Sequence, residues 1–175
     1  MASLLYSETQ RSRQIWLWVL MIGILALFFW VFIQQIILGR PWGDDPMPDV
    51  LLIFILVIPV AVNLLFFFSK LETRLDETGI HYRYFPFHLK MKTVKWEDLE
   101  RVYVRKYQPI LEYGGWGLRV GMFRKGSAIN VSGNMGLQLV FKGGRKMLIG
   151  TNNPDELRAA ARKFAEKKNL LGDPS

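Results

Sequence analysis

The sequence predicts a two-helix transmembrane hairpin followed by a mainly-β barrel or sandwich of about seven antiparallel strands, closed by a C-terminal α-helix. Three observations carry that prediction: two long uncharged apolar runs, a change to short alternating runs after Ser69, and a return to helical spacing after Asn153. Charge divides at the same place. Residues 1–69 hold only Arg11, Arg13 and Arg40 against Glu8, Asp44, Asp45 and Asp49, a net −1. The other 20 of the 23 basic residues and 11 of the 15 acidic ones give residues 70–175 a net +9, and the 175-residue chain a net +8. With 50% of its residues hydrophobic and its charge confined to one part, the chain is built for two solvents.

Residues 1–14 read as a cytoplasmic N-terminal tail. The first span, residues 15–38, carries no formal charge and as a helix reaches about 36 Å, enough for a ~30 Å hydrocarbon core with tilt to spare. It is too long for the apolar region of a secretory signal, and no small-residue cleavage site follows. Residues 39–49 (GRPWGDDPMPD) hold three prolines, two glycines and three aspartates, which end helices and make a polar turn, expected on the extracytoplasmic side. The second span, residues 50–69, is also uncharged and reaches about 30 Å. Arg11 and Arg13 before the spans and Lys70, Arg74 and Arg83 after them outnumber Arg40 in the turn, which places both termini in the cytoplasm. Trp16 and Trp18 at one end and Trp42 at the other suit the headgroup level as interface anchors. Gln34 and Gln35 lie near enough to a helix end to reach water, and Asn63 is expected to bond its own backbone or the first helix. Neither span holds an Asp, Glu, Lys or Arg, so a proton relay or ion path has no support.

Residues 70–175 read as one cytoplasmic domain. Leu71 to Leu75 leads through Asp76-Glu77-Thr78-Gly79 into Ile80, Tyr82 and Tyr84, which alternate with polar residues as a hairpin does. Met91 to Lys95, Arg101 to Tyr107, Leu118 to Phe123, Ala128 to Val131, Leu137 to Phe141 and Lys146 to Ile149 add strands, with Lys142-Gly143-Gly144-Arg145 as the last tight turn. The closing helix is expected over residues 154–171. Asn153 is placed to cap it, Pro154 suits its first position, Leu157, Ala160, Ala161, Phe164 and Ala165 form its apolar stripe, and Gly172 stops it. About 106 residues suffice for one core.

The run Leu148 to Leu157 (LIGTNNPDEL) resembles the end of a bacterial pleckstrin-homology-like domain, where the last strand passes through Thr and Pro into the closing helix. Thr73 to Tyr84, Trp96 to Leu99, Glu112 to Arg119 (EYGGWGLR) and Asn130 to Gln138 (NVSGNMGLQ) are similar to segments of small uncharacterised bacterial membrane proteins with two N-terminal transmembrane helices and such a domain. That resemblance implies a fold and a location in the bacterial cytoplasmic membrane, multi-pass. It implies no activity. The inositol-phosphate pocket of the eukaryotic relatives needs clustered Lys and Arg at the first hairpin, whereas Asp76 and Glu77 stand there and would repel phosphate.

Chemistry is sparse. The chain has no cysteine, which excludes disulfides, thiolate metal sites and a cysteine nucleophile. Its two histidines, His81 and His88, are too few for a metal centre of their own. Gly114-Gly115-Trp116-Gly117 lacks the strand and helix of a nucleotide loop, and no serine sits in a nucleophile elbow. No cofactor and no catalysis are expected. Two surface features remain. The loop with Tyr113, Trp116 and Arg119 is a candidate partner-binding site, although its glycines and Trp116 serve a structural role as well, with Glu112 paired to Arg119. Lys142, Arg145 and Lys146 at one hairpin, and Arg101, Arg105 and Lys106 along one strand, are candidate contacts to anionic lipid. Nucleic acid is disfavoured because no aromatic residues interleave these cations. The expectation is therefore a non-catalytic membrane protein in contact with the lipid bilayer, anchoring an interaction module as an accessory or scaffold subunit, with a protein partner or a second copy of itself. The alternative is a membrane-tethered lipid or small-ligand sensor or carrier.

Overall fold

The computed structural model describes residues 5–12, 14–41, 43, 45–120, 126–168 and 170. The chain divides into two compact units, Arg13–Phe68 on the one hand and Met1–Ser12 with Ser69–Ser175 on the other. The smaller unit is therefore an insertion in the larger one.

In the inserted unit α1 (Ile15–Phe32) runs on through a π-helical turn (Ile33–Ile37), and α2 (Asp49–Phe68) returns. Both helices are long and apolar enough to cross a membrane, with mean hydropathy 2.6 over Ile15–Ile37 and 3.0 over Asp49–Phe68. A helix pairs most of its backbone N–H and C=O groups within the segment, with Pro59 of α2 leaving one such bond unmade. Asn63 bonds as expected. Its Nδ2 donates to the Pro59 carbonyl of its own helix at 2.8 Å and, at a long 3.4 Å, to the Met21 carbonyl of α1. Gln35 does more than reach water. Its Nε2 donates to the Met47 carbonyl at 2.6 Å and to Asp49 Oδ1 at 2.7 Å, tying the turn to the start of α2.

Among the described residues the larger unit has nine strands in two sheets, and they form no closed barrel. The first sheet joins β1 (Tyr6–Arg11), β2 (Lys70–Leu75), β3 (Gly79–Phe85) and β4 (Lys92–Lys95) in that order, all antiparallel. After a short 3₁₀ turn (Trp96–Asp98), the second sheet takes β5 (Leu99–Lys106), β6 (Gly117–Val120), β7 (Ser127–Asn130), β8 (Met135–Phe141) and β9 (Lys146–Thr151) in the order β5-β8-β9-β7-β6. Two sequence readings need correction. Residues 6–11 are not tail but an outer strand, with Tyr6 opposite Leu75 and Arg11 opposite Lys70. The sheets are also not wholly antiparallel, since β7 and β9 run parallel. The expected strand Leu118 to Phe123 is observed as far as Val120, and residues 121–125 lie outside the described residues.

One apolar core joins the facing sides of the sheets. Leu71, Leu75, Ile80 and Trp96 meet Leu99, Leu137, Leu139 and Ile149, each 1% exposed or less. Helix α3 (Pro109–Tyr113), which the sequence did not announce, contributes Tyr113 to a second small cluster with Tyr107, Ala128 and Leu148. It ends at Gly114, whose φ of +72° makes the left-handed cap that glycine adopts without steric cost.

Helix α4 (Pro154–Lys167) buries the expected stripe Leu157, Ala160, Ala161, Phe164 and Ala165, and stacks Phe164 on Trp96 at 5.2 Å. It ends at Lys167 rather than residue 171, and Gly172 lies outside the described residues. Asn153 makes no side-chain cap, and its own N–H is held by Thr151 Oγ1 at 3.0 Å in the turn before the helix.

Candidate functional site

A cleft of about 600 Å³ is lined by β3 and β4 of the first sheet and by β6, β7, β8 and β9 of the second. Strand alternation decides what faces it. Tyr82 follows Ile80 on the inward side of β3, and Lys92 precedes Val94 on the inward side of β4. Leu118, Ile129, Phe141 and Met147 give the opposite wall an apolar surface. Lys92, Arg119, Arg145 and His88 also line the cleft, with Asp98 as its carboxylate.

Three of these groups carry fixed positive charge, and among the described residues none of the three is in an ion pair. Arg145 lays its guanidinium over the Phe141 ring, 4.1 Å from the centroid, which fixes a cation beside an apolar wall. Arg119 donates from Nε to the Trp116 carbonyl at 3.0 Å. His88 differs, because burial and the neighbouring Lys92 lower its pKa below the ordinary histidine value. It is neutral at pH 7. Its Nδ1 accepts from the Tyr84 N–H at 3.4 Å, which leaves the proton on Nε2. The Tyr82 ring stands edge-on to it at 5.8 Å, and burial raises the Tyr82 pKa, so that hydroxyl is a neutral donor. The cleft thus offers an apolar wall, two neutral hydrogen-bonding groups and an excess of positive charge. That chemistry suits binding. Among the described residues no group of three His, Asp or Glu side chains could hold a metal ion.

A second polar cluster is structural. Glu8 on β1 is 7% exposed and accepts from Tyr6 Oη at 2.5 Å, Thr151 Oγ1 at 2.8 Å and the Asn152 N–H at 2.8 Å. Gln10 Nε2 adds a bond to the Gly150 carbonyl at 2.7 Å. The end of the last strand is therefore joined to the beginning of the chain. Burial and the Glu8 carboxylate both raise the Tyr6 pKa, which keeps its hydroxyl protonated as a donor.

The residues singled out from the sequence fall into different places. Arg119 and Arg145, assigned there to separate patches, line the same cleft. Tyr113 cannot serve as an exposed anchor, because it is 3% exposed and packs edge-on to Tyr107 at 6.0 Å. Trp116 is half-buried, and its Nε1 donates to the Gly133 carbonyl at 3.1 Å. Arg105 is no free lipid contact. It is locked to Glu112 by bonds of 3.2 and 2.8 Å and to Gln138 at 2.9 Å, so Glu112 pairs with Arg105 and not with Arg119. Burial opposes the Arg105 charge, but the Glu112 bonds outweigh it and raise the pKa.

Arg101, Lys106, Lys142, Arg145 and Lys146 are exposed, with Arg101 3.8 Å from Glu100. Trp16 and Trp18 sit in the first turn of α1, and Trp42 lies outside the described residues. Sequence reasoning missed Tyr82, His88 and Lys92 as neighbours, and the only signal for them was that Tyr82 and Lys92 occupy inward positions of adjacent strands. The acidic hairpin tip also has a different meaning. Asp76 Oδ1 accepts from the Thr78 and Gly79 N–H groups at 2.8 and 3.1 Å, and Oδ2 meets His81 Nε2 at 3.0 Å, so this carboxylate builds its own turn.

A search of curated proteins finds no match. The family described as "Family of unknown function (DUF6141)" has a model that matches residues 2–165, nearly the whole chain, and the protein belongs to that family.

Proposed function

We propose that this is a non-catalytic integral membrane protein of the bacterial cytoplasmic membrane, whose two apolar helices anchor a cytoplasmic pleckstrin-homology-like interaction module as an accessory or scaffold subunit of a membrane assembly. One observation carries the reading: a hairpin of two long apolar helices, with its charges in the turn and at the ends, is inserted between two neighbouring strands of a β unit with charge +9. Only residues 12–14 lead from β1 into α1, and only Ser69 leads from α2 into β2. With at most about 3.6 Å per extended residue, both connections are short tethers, and a module held twice cannot turn freely. Such restraint suits a part that presents a fixed surface to a neighbour in the membrane. The exposed cations Arg101, Lys106, Lys142 and Lys146 are the groups available to anionic headgroups, each worth about 1 kcal/mol near the surface. The test is purification of the full chain in mild detergent, with mass spectrometry of whatever stays bound. A stoichiometric protein partner or a ring of identical copies is the expected result, and a monomer without protein partners would contradict the scaffold role.

A second reading, a membrane-tethered sensor or carrier of a lipid or small ligand, is favoured by the cleft between the sheets, with Lys92, Arg119 and Arg145 along it.

A further inference from the structure

We infer that the cleft between the sheets binds a single-chain amphiphile with an anionic phosphate or carboxylate head, a ligand class that follows from the lining and rests on the sensor reading just given. Three independent observations converge on it. First, size: about 600 Å³ lies within the range of small-molecule sites and is far more than a water needs. Second, the apolar wall: Leu118, 38% exposed, and the cleft edges of Val94, Ile129 and Met147 offer hydrocarbon that a polar solute leaves uncovered and an alkyl chain covers. Third, charge: Lys92 and Arg145 have no carboxylate partner among the described residues, although Asp98 lines the same cleft, so the balance left to a ligand is positive.

The geometry also separates head from tail. Arg145 is held against Phe141 and lines the cleft together with Tyr82. Among the described residues the Tyr82 hydroxyl has no hydrogen-bond partner, and with Lys92 and Arg145 it forms a set of donors for anionic oxygens. An arginine fork matches two oxygens of such a head at once. The hydrocarbon then lies along the apolar lining of Leu118, Ile129 and Met147. A free inorganic anion would satisfy the donors and leave the wall bare. A neutral alkyl chain would cover the wall and leave the cations unpaired. Only a ligand with both parts meets the whole lining.

The experiment uses the full chain in dodecyl maltoside and native mass spectrometry, with dodecyl phosphate, dodecanol, inorganic phosphate and dioleoyl phosphatidic acid as probes. One equivalent of dodecyl phosphate should be retained, at least about tenfold more than dodecanol or inorganic phosphate, and should raise the thermal midpoint. Lys92→Ser with Arg145→Ser should lower retention at least about tenfold, as the loss of two charge-assisted contacts requires. Removing two exposed cations elsewhere, Arg162→Ser with Lys163→Ser on α4, should leave it unchanged. Leu118→Trp, which fills the cleft without touching the cations, should reduce retention as well.

Equal loss in both double variants would overturn the site in favour of diffuse charge. Preferential retention of phosphatidic acid, dodecanol or inorganic phosphate over dodecyl phosphate would overturn the ligand class and keep the sensor reading. Retention of none of the four would overturn both.

Discussion

Thr151 and Thr73 are both 1% exposed, yet the fold uses their hydroxyls in opposite ways. Thr151 Oγ1 donates to Glu8 and accepts from the Asn153 N–H, so its loss removes one of the three bonds to the buried Glu8 carboxylate and the bond to the Asn153 N–H. Thr73 Oγ1 is buried with no partner among the described residues. Swapping each for the isosteric valine separates the cases: Thr151→Val should cost about 1–3 kcal/mol, and Thr73→Val should be neutral or stabilising by up to about 1 kcal/mol. Thermal unfolding of the full chain in detergent reads both, and equal destabilisation would contradict the bonding described.

Asp76 adds a pH dependence. Burial raises its pKa, but bonds from Thr78 and His81 win and lower it to about 2, below the 3.8 of a free aspartate. A depressed carboxylate contributes stability that is complete above its unfolded value and is lost as pH falls through the folded one. The unfolding midpoint should therefore drop between about pH 4 and pH 2, and Asp76→Asn should flatten that part of the profile. Of these residues the sequence announced only the turn at Asp76. Glu8 stood in YSETQR without a signal, because its partners lie 143 and 144 residues along the chain.

Among the elements, the helices were legible: both long helices follow the continuous uncharged apolar runs, and the stripe of α4 lies where helical spacing put it. Strand β1 was not. Its inward residues are Tyr6, Glu8 and Gln10, so the alternation of burial is present but the alternation of hydrophobicity is not. Helix α3 was missed for a different reason, since five residues opened by a proline give no period to detect. The cleft was missed because its lining comes from strands of both sheets, and sequence spacing reports one strand at a time.

β1 has a consequence for the module. A truncated chain that starts at Leu71 omits Tyr6 from the core and exposes the Leu71 to Leu75 edge of β2. It should aggregate. Joining residues 5–12 to residues 69–175 through a two-residue Asn-Gly turn closes Arg11 onto Lys70 as a hairpin and should yield a soluble, mainly β protein. Equal solubility and equal circular dichroism for the truncated and the joined chains would show that β1 is dispensable.

For the whole molecule, the insertion of the hairpin between β1 and β2 makes a demand that neither unit makes alone. The N-terminal strand and the C-terminal sheet belong to one folded body, so on the membrane reading proposed above they must share one side of the bilayer, with the chain crossing it an even number of times. On that proposed topology, the arginine and lysine flanks assign the cytoplasm to that side. With no native cysteine, single substitutions report each position cleanly. The decisive measurement is labelling of Ser7→Cys, Asp45→Cys and Lys142→Cys with a membrane-impermeant thiol reagent in intact cells and after lysis, all three being exposed positions. Asp45→Cys should react in intact cells, and Ser7→Cys and Lys142→Cys only after lysis. Reaction of Ser7→Cys with Lys142→Cys protected, or the reverse, would contradict a hairpin inserted in one β unit.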